Sequence, residues 1–358
     1  MQPSRLAVLA LAAALVLGSA GCSGSSPGTA NASIAGWADE AVTFTAGGIT
    51  VYGTYRHPDP EGDTVPAALL IAGSGPTDRD GNGPTVPGPV DTLENLADQL
   101  ASDGVASLRY DKLGSGTTAL GTYAAHPETI GIAPFEAEAA AALTFLAGRP
   151  GVDRNRLAVI GHSEGALFAL LLATGAAGPA PAVHGIGLLE PLSIRYLDVI
   201  RAQVASQEDA AIGDGRTTTA AARALESRVD AAISSLRTDG TVPSGLPAGL
   251  AQTLSAANTV FLRQADLLDP ARLAALLPAD FPVLVTCSDA DVQVTCAEVA
   301  NLEAGLRTAS TATDAVHLHG VDHVLKQDAS LGESSYAADL PFSDELAQAL
   351  REFVGENL

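Results

Sequence analysis

Between residues 66 and 190, short apolar runs alternate with stretches of helical periodicity, and this order restricts the possible folds more than any other feature. The apolar runs are PAALLIAG (66–73), VASLRYD (105–111), RLAVIG (156–161) and VHGIGLLE (183–190). Continuous runs of this kind are typical of strands buried on both faces. Helical patterns separate them at 91–104, 134–148 and 166–175. The alternation predicts an α/β fold with a mostly parallel, twisted sheet and helices on both faces.

Two further segments complete this plan. Residues 41–58 alternate apolar and polar side chains around Gly47 and Gly48, which predicts a hairpin. Between 191 and 278 the strand pattern stops, and apolar residues recur at helical spacing, as in Leu225, Val229 and Ile233. The strand and helix order resumes with PVLVTCSD (282–289). We therefore predict a core of residues 41–190 and 279–358, with an all-helical cap inserted at 191–278.

The N-terminus has the pattern of an export signal. Arg5 precedes an apolar stretch at 6–17, and small residues lead to Cys22. This predicts a signal peptide over 1–21. The Gly-Cys ending resembles a bacterial lipobox, which implies lipidation of Cys22 and a lipidated tether over 22–40. The expected location is the outer face of the cell membrane, held only through the lipid. Ser19 stands where an aliphatic residue is usual, so cleavage near Ala20 and secretion remain the alternative.

Cysteine usage and charge narrow the range of partners. With Cys22 lipidated, Cys287 and Cys296 form an even pair in an oxidising setting, which favours a disulfide; two free buried thiols are the alternative. No His or third Cys lies at ligand spacing around them, so no metal site is predicted. The net charge is −22, and the chain has two lysines, Lys112 and Lys326. Without a basic patch to neutralise phosphates, nucleic-acid binding is excluded.

The segment IGHSEG places Ser163 between two glycines, after a predicted strand and before a predicted helix. The five-residue pattern G-x-S-x-G occurs in many chains by chance. In this strand-to-helix context it predicts a nucleophile elbow, where the sharp turn lifts the serine hydroxyl above the sheet. Gly161 and Gly165 supply the small neighbours that such a turn needs. We predict Ser163 as the nucleophile; a small polar residue in a tight turn is the alternative interpretation.

A serine nucleophile needs a base and an acid that orients this base, each in a loop after a strand. The loop in VTCSDADVQVTC (285–296) offers Asp291 and Asp289, of which Asp291 is the predicted acid by its position in the loop. The second loop follows His317 and His319, which alternate along a strand and are interpreted as packing or surface residues. His323 lies beyond this strand and is the predicted base.

The developing oxyanion of an acyl substrate needs donors fixed in advance. One is predicted to be the backbone N–H of Glu164, directly after the serine. The other comes from the loop GSGPTDRDGNGP (73–84), where Ser74 is favoured over Gly75; an ordinary Gly/Pro turn is the alternative for this loop. The carboxylate of Glu164 is interpreted as a helix cap.

Together these segments resemble the α/β-hydrolase superfamily, and more narrowly its esterase and serine-peptidase-like branch. The resemblance rests on GSGPTDRDGN, RYDKLGSG (109–116), GHSEGA and DVQV (291–294), and covers 41–358 outside the insertion. It implies Ser163 as nucleophile, Asp291 as acid and His323 as base. The main chains of Ser74 and Glu164 would form the oxyanion hole. No metal or organic cofactor is implied.

The sequence departs from the family pattern at Ala72 and in the insertion. Ala72 stands where many relatives have His, a change that main-chain donors tolerate. The insertion matches no known pattern, although caps usually build the acyl pocket in this superfamily. We interpret Arg109 and Asp111 as structural, through ion pairing that braces their loop against the TDRDG turn.

The sequence thus predicts a serine hydrolase that cleaves carboxylic esters, an enzyme of the carboxylesterase type. Its partner is a small-molecule ester, and the apolar faces of the insertion favour an apolar acyl group. A serine peptidase or an acyltransferase of the same fold is the alternative within this class. A non-catalytic cell-envelope lipoprotein is the alternative outside it. Acyl chain length and oligomeric state are not fixed by the sequence.

Overall fold

One eight-stranded sheet organises the chain in the structure, a computed structural model that describes residues 34–60, 62–84, 86 and 88–358. Its strands are β1 Trp37–Ala46, β2 Ile49–Pro58, β3 Val65–Ile71, β4 Ala106–Tyr110, β5 Val152–His162, β6 Gly185–Leu189, β7 Pro282–Ser288 and β8 Ala312–Leu318. Their order across the sheet is β1-β2-β4-β3-β5-β6-β7-β8. The β1–β2 hairpin joins β4 in antiparallel pairing, and all other neighbours are parallel. The predicted mostly parallel sheet is confirmed.

Helices cover both faces of the sheet, as the sequence predicts. The α-helices of the described residues are α1 Thr92–Ser102, α2 Ala133–Ala147, α3 Gly165–Ala173, α4 Tyr196–Gly213, α5 Thr219–Thr238, α6 Ala248–Thr253, α7 Thr259–Asp266, α8 Pro270–Ala274, α9 Cys296–Ala309 and α10 Asp344–Asn357. Successive side chains of a strand point to opposite faces. Leu69 of β3 therefore packs in one apolar cluster with α2, α3 and α9, while Leu70 packs in the other with α1 and α10. This explains why the strands are apolar without alternation.

The segment between β6 and β7 contains helices α4 to α8. The apolar stripe that predicts α5 points inward, because Leu225, Val229, Ile233 and Leu236 are all buried. Helices α4, α5 and α7 are joined by Asp266, whose carboxylate accepts hydrogen bonds from Arg195 and Arg237. The apolar faces of the insertion are thus used in its own packing.

Strand β1 begins at Trp37, so the last four residues of the tether predicted over 22–40 belong to the sheet. They pair with the end of β2, with Trp37 opposite Pro58 and Glu40 opposite Tyr55. The predicted signal peptide (1–21) and the lipidation of Cys22 lie outside the described residues. Among the described residues, no helix combines the length and the apolarity needed to span a bilayer.

The strand order reverses at β3, since the chain continues from β3 to β4 on one side and later places β5 on the other. In open parallel sheets, ligands bind at such a reversal, beyond the carboxyl ends of the strands. The loop after β3 begins near Gly73, and the turn after β5 contains Ser163. The fold therefore brings the two predicted parts of the site together at the place that favours binding.

Candidate active site

Ser163 occupies a strained turn between β5 and α3. Its φ of 54° lies in the left-handed region, which a residue with a side chain rarely adopts outside functional turns. The flanking glycines are required by contact. A Cβ on Gly161 would lie 2.2 Å from the carbonyl oxygen of Gly165, and one on Gly165 would lie 2.1 Å from the carbonyl oxygen of Ile71. The G-x-S-x-G spacing is thus the spacing that lets this turn close.

The structure places His323 directly on Asp291. The Nδ1 atom of His323 lies 2.7 Å from Oδ2 of Asp291. The other oxygen of Asp291 accepts hydrogen bonds from the backbone N–H groups of Gln293 at 2.7 Å and Val294 at 3.1 Å. His323 and Ser163 line the same pocket. The three residues predicted from three separate loops are therefore brought to one place, and all three are buried.

The two partners shift each other's protonation in opposite directions. Burial alone raises the pKa of Asp291, but the charge and hydrogen bond of His323 and the two amide donors hold it below its ordinary value. Burial alone lowers the pKa of His323, but Asp291 outweighs this effect and raises it above its ordinary value. An ionised carboxylate beneath a basic imidazole is the arrangement that general-base catalysis requires.

Asp289, the alternative acid, lies elsewhere. It is exposed, and its Oδ1 accepts a hydrogen bond of 2.7 Å from the backbone N–H of Gly320. This contact ties the loop after β7 to the loop after β8. Of the two aspartates, Asp291 is the one that contacts His323.

The loop after β3 passes close to the elbow at Gly73. A Cβ at this position would lie 3.2 Å from the Cβ of Ser163. Ser74 follows and lines the pocket with Ser163. Glu164 precedes α3, so its N–H belongs to the first turn of the helix, where amides have no partner within the helix. This geometry suits both backbone groups to the predicted oxyanion hole.

The carboxylate of Glu164 does not cap α3, contrary to the sequence interpretation, since its side chain makes no capping hydrogen bond. It points instead to Tyr196, whose hydroxyl donates to Oε2 at 2.6 Å, and to Lys112, whose Nζ lies 3.5 Å from Oε1. Both partners are distant in sequence, so no local pattern indicates them.

Two further buried groups support the pair of Asp291 and His323, and sequence reasoning missed both. Burial lowers the pKa of His162 to about 3, so its ring is neutral, and its Nε2–H donates to the backbone carbonyl of His323 at 2.7 Å. Glu190, the residue after β6, lies near Asp291, and its Oε1 accepts a hydrogen bond from the hydroxyl of Thr286 at 3.3 Å. Burial, reinforced by the charge of Asp291, raises the pKa of Glu190 well above its ordinary value. The signal in the sequence is a glutamate that ends an apolar strand.

Arg109 and Asp111 each pair with the TDRDG turn rather than with each other. Asp111 accepts two hydrogen bonds from the guanidinium of Arg79, at 3.0 and 2.6 Å, and Arg109 donates to Asp80 at 2.7 Å. Crossed pairs of this kind hold the loop after β4 against the loop after β3.

Cys287 and Cys296 are joined in a disulfide. It connects β7 with the first residue of α9 and closes the loop that holds Asp291. His317 lies beside the pair, although the spacing in the sequence gave no sign of it. Because the two sulfurs are bonded to each other, they are not available as thiolate ligands.

Replacing both cysteines with serine should therefore loosen the acid loop. Closing a loop of this length is worth about 2–3 kcal/mol in the loop-entropy model, and we expect urea unfolding to show a loss of this size. The native protein should resist alkylation at both positions until it is reduced. Mass spectrometry that finds both thiols alkylated without reduction would contradict this prediction.

The pocket beside Ser163 is small, with a volume of about 70 Å³. This is room for only a few water-sized groups. Its lining includes Thr77, Val90, Leu93, Val324 and Tyr336. Among the residues that the structure describes, no lining residue belongs to the insertion at 191–278, and none carries a carboxylate or a lysine or arginine side chain. The apolar faces that favoured an apolar acyl group are thus not those that face the site.

The sheet order and the position of the elbow define the α/β-hydrolase fold, which is the fold of this chain. Est1E from Butyrivibrio proteoclasticus, solved with ferulic acid bound, is 16% identical with a TM-score of 0.54, covering 88% of this chain and 99% of its own. Acetyl xylan esterase 1 from a Thermoanaerobacterium species is 14% identical with a TM-score of 0.52, covering 90% and 84%. The α/β hydrolase GrgF from a Penicillium species is 16% identical with a TM-score of 0.55, covering 89% and 99%. Identities this low establish the fold alone. No protein-family model and no curated protein matches the sequence.

Proposed function

We propose that this protein is a serine hydrolase that cleaves carboxylic esters. The observation that carries the proposal is the 2.7 Å contact between His323 and Asp291, in a site where His323 and Ser163 line one pocket. The strained elbow at Ser163 supports the proposal by presenting the nucleophile, and the helix that follows it supplies a backbone N–H donor for the oxyanion. Esterases among the structural neighbours support the ester class.

In the proposed reaction, His323 takes the proton of the Ser163 hydroxyl as its oxygen attacks the ester carbonyl carbon. The carbonyl oxygen gains a negative charge, which the N–H groups of Ser74 and Glu164 stabilise. The protonated His323 then gives its proton to the departing alcohol, and an acyl-enzyme on Ser163 remains. Water, deprotonated by His323, attacks the acyl carbon and releases the acid and the free serine. Asp291 stabilises the imidazolium in both halves.

The pocket favours a small, uncharged acyl group. Its small volume favours a short acyl chain, and its lining offers apolar and hydroxyl side chains. A peptidase that recognises a free amino group needs carboxylates at the site, and the described part of the pocket lining has none. We therefore place a short-chain ester ahead of a peptide as the substrate.

The cellular setting belongs to the same proposal. We infer export, a lipid on Cys22 and attachment to the outer face of the membrane through this lipid alone, with secretion as the alternative. The pattern of residues 1–22 supports this placement. The charge of −22 supports a partner other than nucleic acid.

A fluorophosphonate probe tests the central claim, because it reacts with activated serines. We expect the purified native protein to be labelled on the peptide that contains Ser163, and the heat-unfolded protein to remain unlabelled. A native protein that is folded and not labelled would fit the non-catalytic lipoprotein and contradict the hydrolase.

The pocket volume predicts how activity depends on acyl length. Among p-nitrophenyl esters, acetate through butyrate should give the highest kcat/KM. Octanoate should fall at least about tenfold below butyrate, because the chain exceeds the available space. A kcat/KM that rises up to octanoate would show that the pocket opens or that the chain binds elsewhere, and would contradict the short-chain assignment.

A further inference from the structure

Lys112 is a buried cation at the rear of the candidate oxyanion hole. It is one of two lysines in the chain, and only 4% of its surface is exposed. Its Nζ donates a hydrogen bond to the backbone carbonyl of Gly73, the residue before Ser74. A lysine is rarely buried without a specific partner. Its contact with the loop that supplies one of the two predicted donors therefore indicates a specific role.

The second contact of Lys112 leads to the other predicted donor. Its Nζ lies 3.5 Å from Oε1 of Glu164, the residue whose backbone N–H forms the other half of the hole. Oε2 of Glu164 accepts the hydroxyl of Tyr196 at 2.6 Å. Tyr196 also makes a side-chain hydrogen bond with Ser74. The three side chains thus connect the residues on both sides of the hole.

The charges in this cluster balance in a way that suits an oxyanion. A carboxylate next to a developing negative charge opposes it, and low dielectric strengthens the effect. Glu138 also lies near Lys112, but burial raises the pKa of Glu138 to about 8, so it is largely neutral at pH 7. Glu164 is therefore the ion-pair partner of Lys112, with Nζ 3.5 Å from its Oε1. Burial lowers the pKa of Lys112, and the neighbouring Glu164 opposes this effect.

We propose that Lys112, Tyr196 and the side chain of Glu164 act as positioning residues. They fix the orientation of the backbone N–H groups of Ser74 and Glu164, and Lys112 balances the charge of the Glu164 carboxylate. This inference rests on the proposed hydrolase function. None of the three side chains acts on the substrate itself. Their effect reaches the reaction through the two amides, whose geometry decides how well the oxyanion is stabilised.

The network also gives the insertion a role in the site. Tyr196 is the first residue of α4, so the helical insertion contacts the hole through the hydroxyl of Tyr196, although it contributes no residue to the lining that the structure describes. A second contact from α4 reaches the acid loop, where Nε2 of Gln203 donates to the carbonyl of Gln293 at 3.1 Å. The insertion therefore acts on the site by supporting its loops.

The test compares Lys112→Met and Tyr196→Phe with Lys326→Met. This control removes the other buried lysine, whose Nζ donates to the backbone carbonyls of Tyr336 and Ala338. Each variant is examined for its rate of fluorophosphonate labelling, its affinity for a trifluoromethyl ketone, and kcat and KM on p-nitrophenyl acetate. The ketone forms a reversible tetrahedral adduct with an oxyanion, so its affinity reports on the hole. Thermal unfolding is followed in parallel.

We expect Lys112→Met to lower kcat and ketone affinity about 100-fold and Tyr196→Phe about tenfold, with KM changed less than threefold. Lys326→Met should keep ketone affinity within twofold even where it lowers the melting temperature. Adding Glu164→Gln to Lys112→Met should recover about tenfold, because it removes the unpaired carboxylate. If Lys112→Met does not fold, Tyr196→Phe carries the test.

Two outcomes separate this inference from the function on which it rests. If the wild type is labelled at Ser163 and both network variants keep kcat and ketone affinity within twofold, the network is purely structural and the inference fails alone. If the folded wild type is not labelled at all, the hydrolase proposal fails and the inference falls with it.

Discussion

Replacing Ser163 with alanine should lower kcat for p-nitrophenyl acetate by about 10⁶-fold and abolish fluorophosphonate labelling. Without the hydroxyl, no acyl-enzyme forms, and only binding and the oxyanion donors remain to assist attack by water. Alanine meets the same left-handed φ of 54° as serine, so the turn should persist. Measured turnover and intact-protein mass after labelling check the result.

Ser107→Ala is the matched control. This serine is fully buried in β4, and within the described part of the chain its hydroxyl has no hydrogen-bond partner. Removing it costs no interaction, so activity and labelling should stay at the wild-type level. A Ser163→Ala protein that keeps more than about 1% of kcat, or that is still labelled, would move the nucleophile elsewhere.

The sheet could be predicted from the sequence because its strands are buried on both faces. Leu69 and Leu70 face opposite clusters, so both must be apolar. The sequence 66–73 is therefore continuously apolar, and this pattern can be recognised without the structure. The elbow could be predicted for a similar reason, since Gly161 and Gly165 are imposed by contacts within five residues and with β3. Constraints that act between residues close in sequence can therefore be recognised from the sequence alone.

The supporting groups of the site could not be predicted, because their constraints are long-range. In the motif RYDKLGSG, the sequence indicates a role for Arg109 and Asp111 and none for Lys112. In the structure, Lys112 is the residue of this motif that contacts Gly73 and Glu164. No motif or spacing in the sequence distinguishes Tyr196 from other residues at the start of a helix. Only the fold shows that it meets Glu164.

The same limit explains the misplaced role of the insertion. Its apolar spacing correctly predicts helices, but spacing does not reveal which neighbour an apolar face meets. Val229 and Ile233 pack inside the insertion and the core cluster, so they are absent from the pocket. The start of β1 was missed for a related reason, since the residues that follow Trp37, namely Ala38, Asp39 and Glu40, are small or polar and join the sheet through backbone pairing.

Replacing Asp291 with asparagine should lower kcat by about 10⁴-fold, whereas Asp289→Asn should change it less than threefold. Asparagine keeps the size of the side chain but cannot stabilise the imidazolium. It can also present its amide N–H toward Nδ1 and so favour the wrong tautomer of His323. Asp289 holds the backbone N–H of Gly320 instead, so its amide variant is the matched control for loop structure.

The pH dependence provides a second, independent reading of Asp291. The base must be neutral, so activity falls as the pH drops through the pKa of His323. Asp291 raises this pKa, which moves the acid limb of kcat/KM to a higher pH than the ordinary histidine pKa would give. In Asp291→Asn the charge and its hydrogen bond are lost while burial remains, so the residual activity should show an acid limb at lower pH. If Asp289→Asn instead lost activity and moved the acid limb while Asp291→Asn did neither, Asp289 would be the acid.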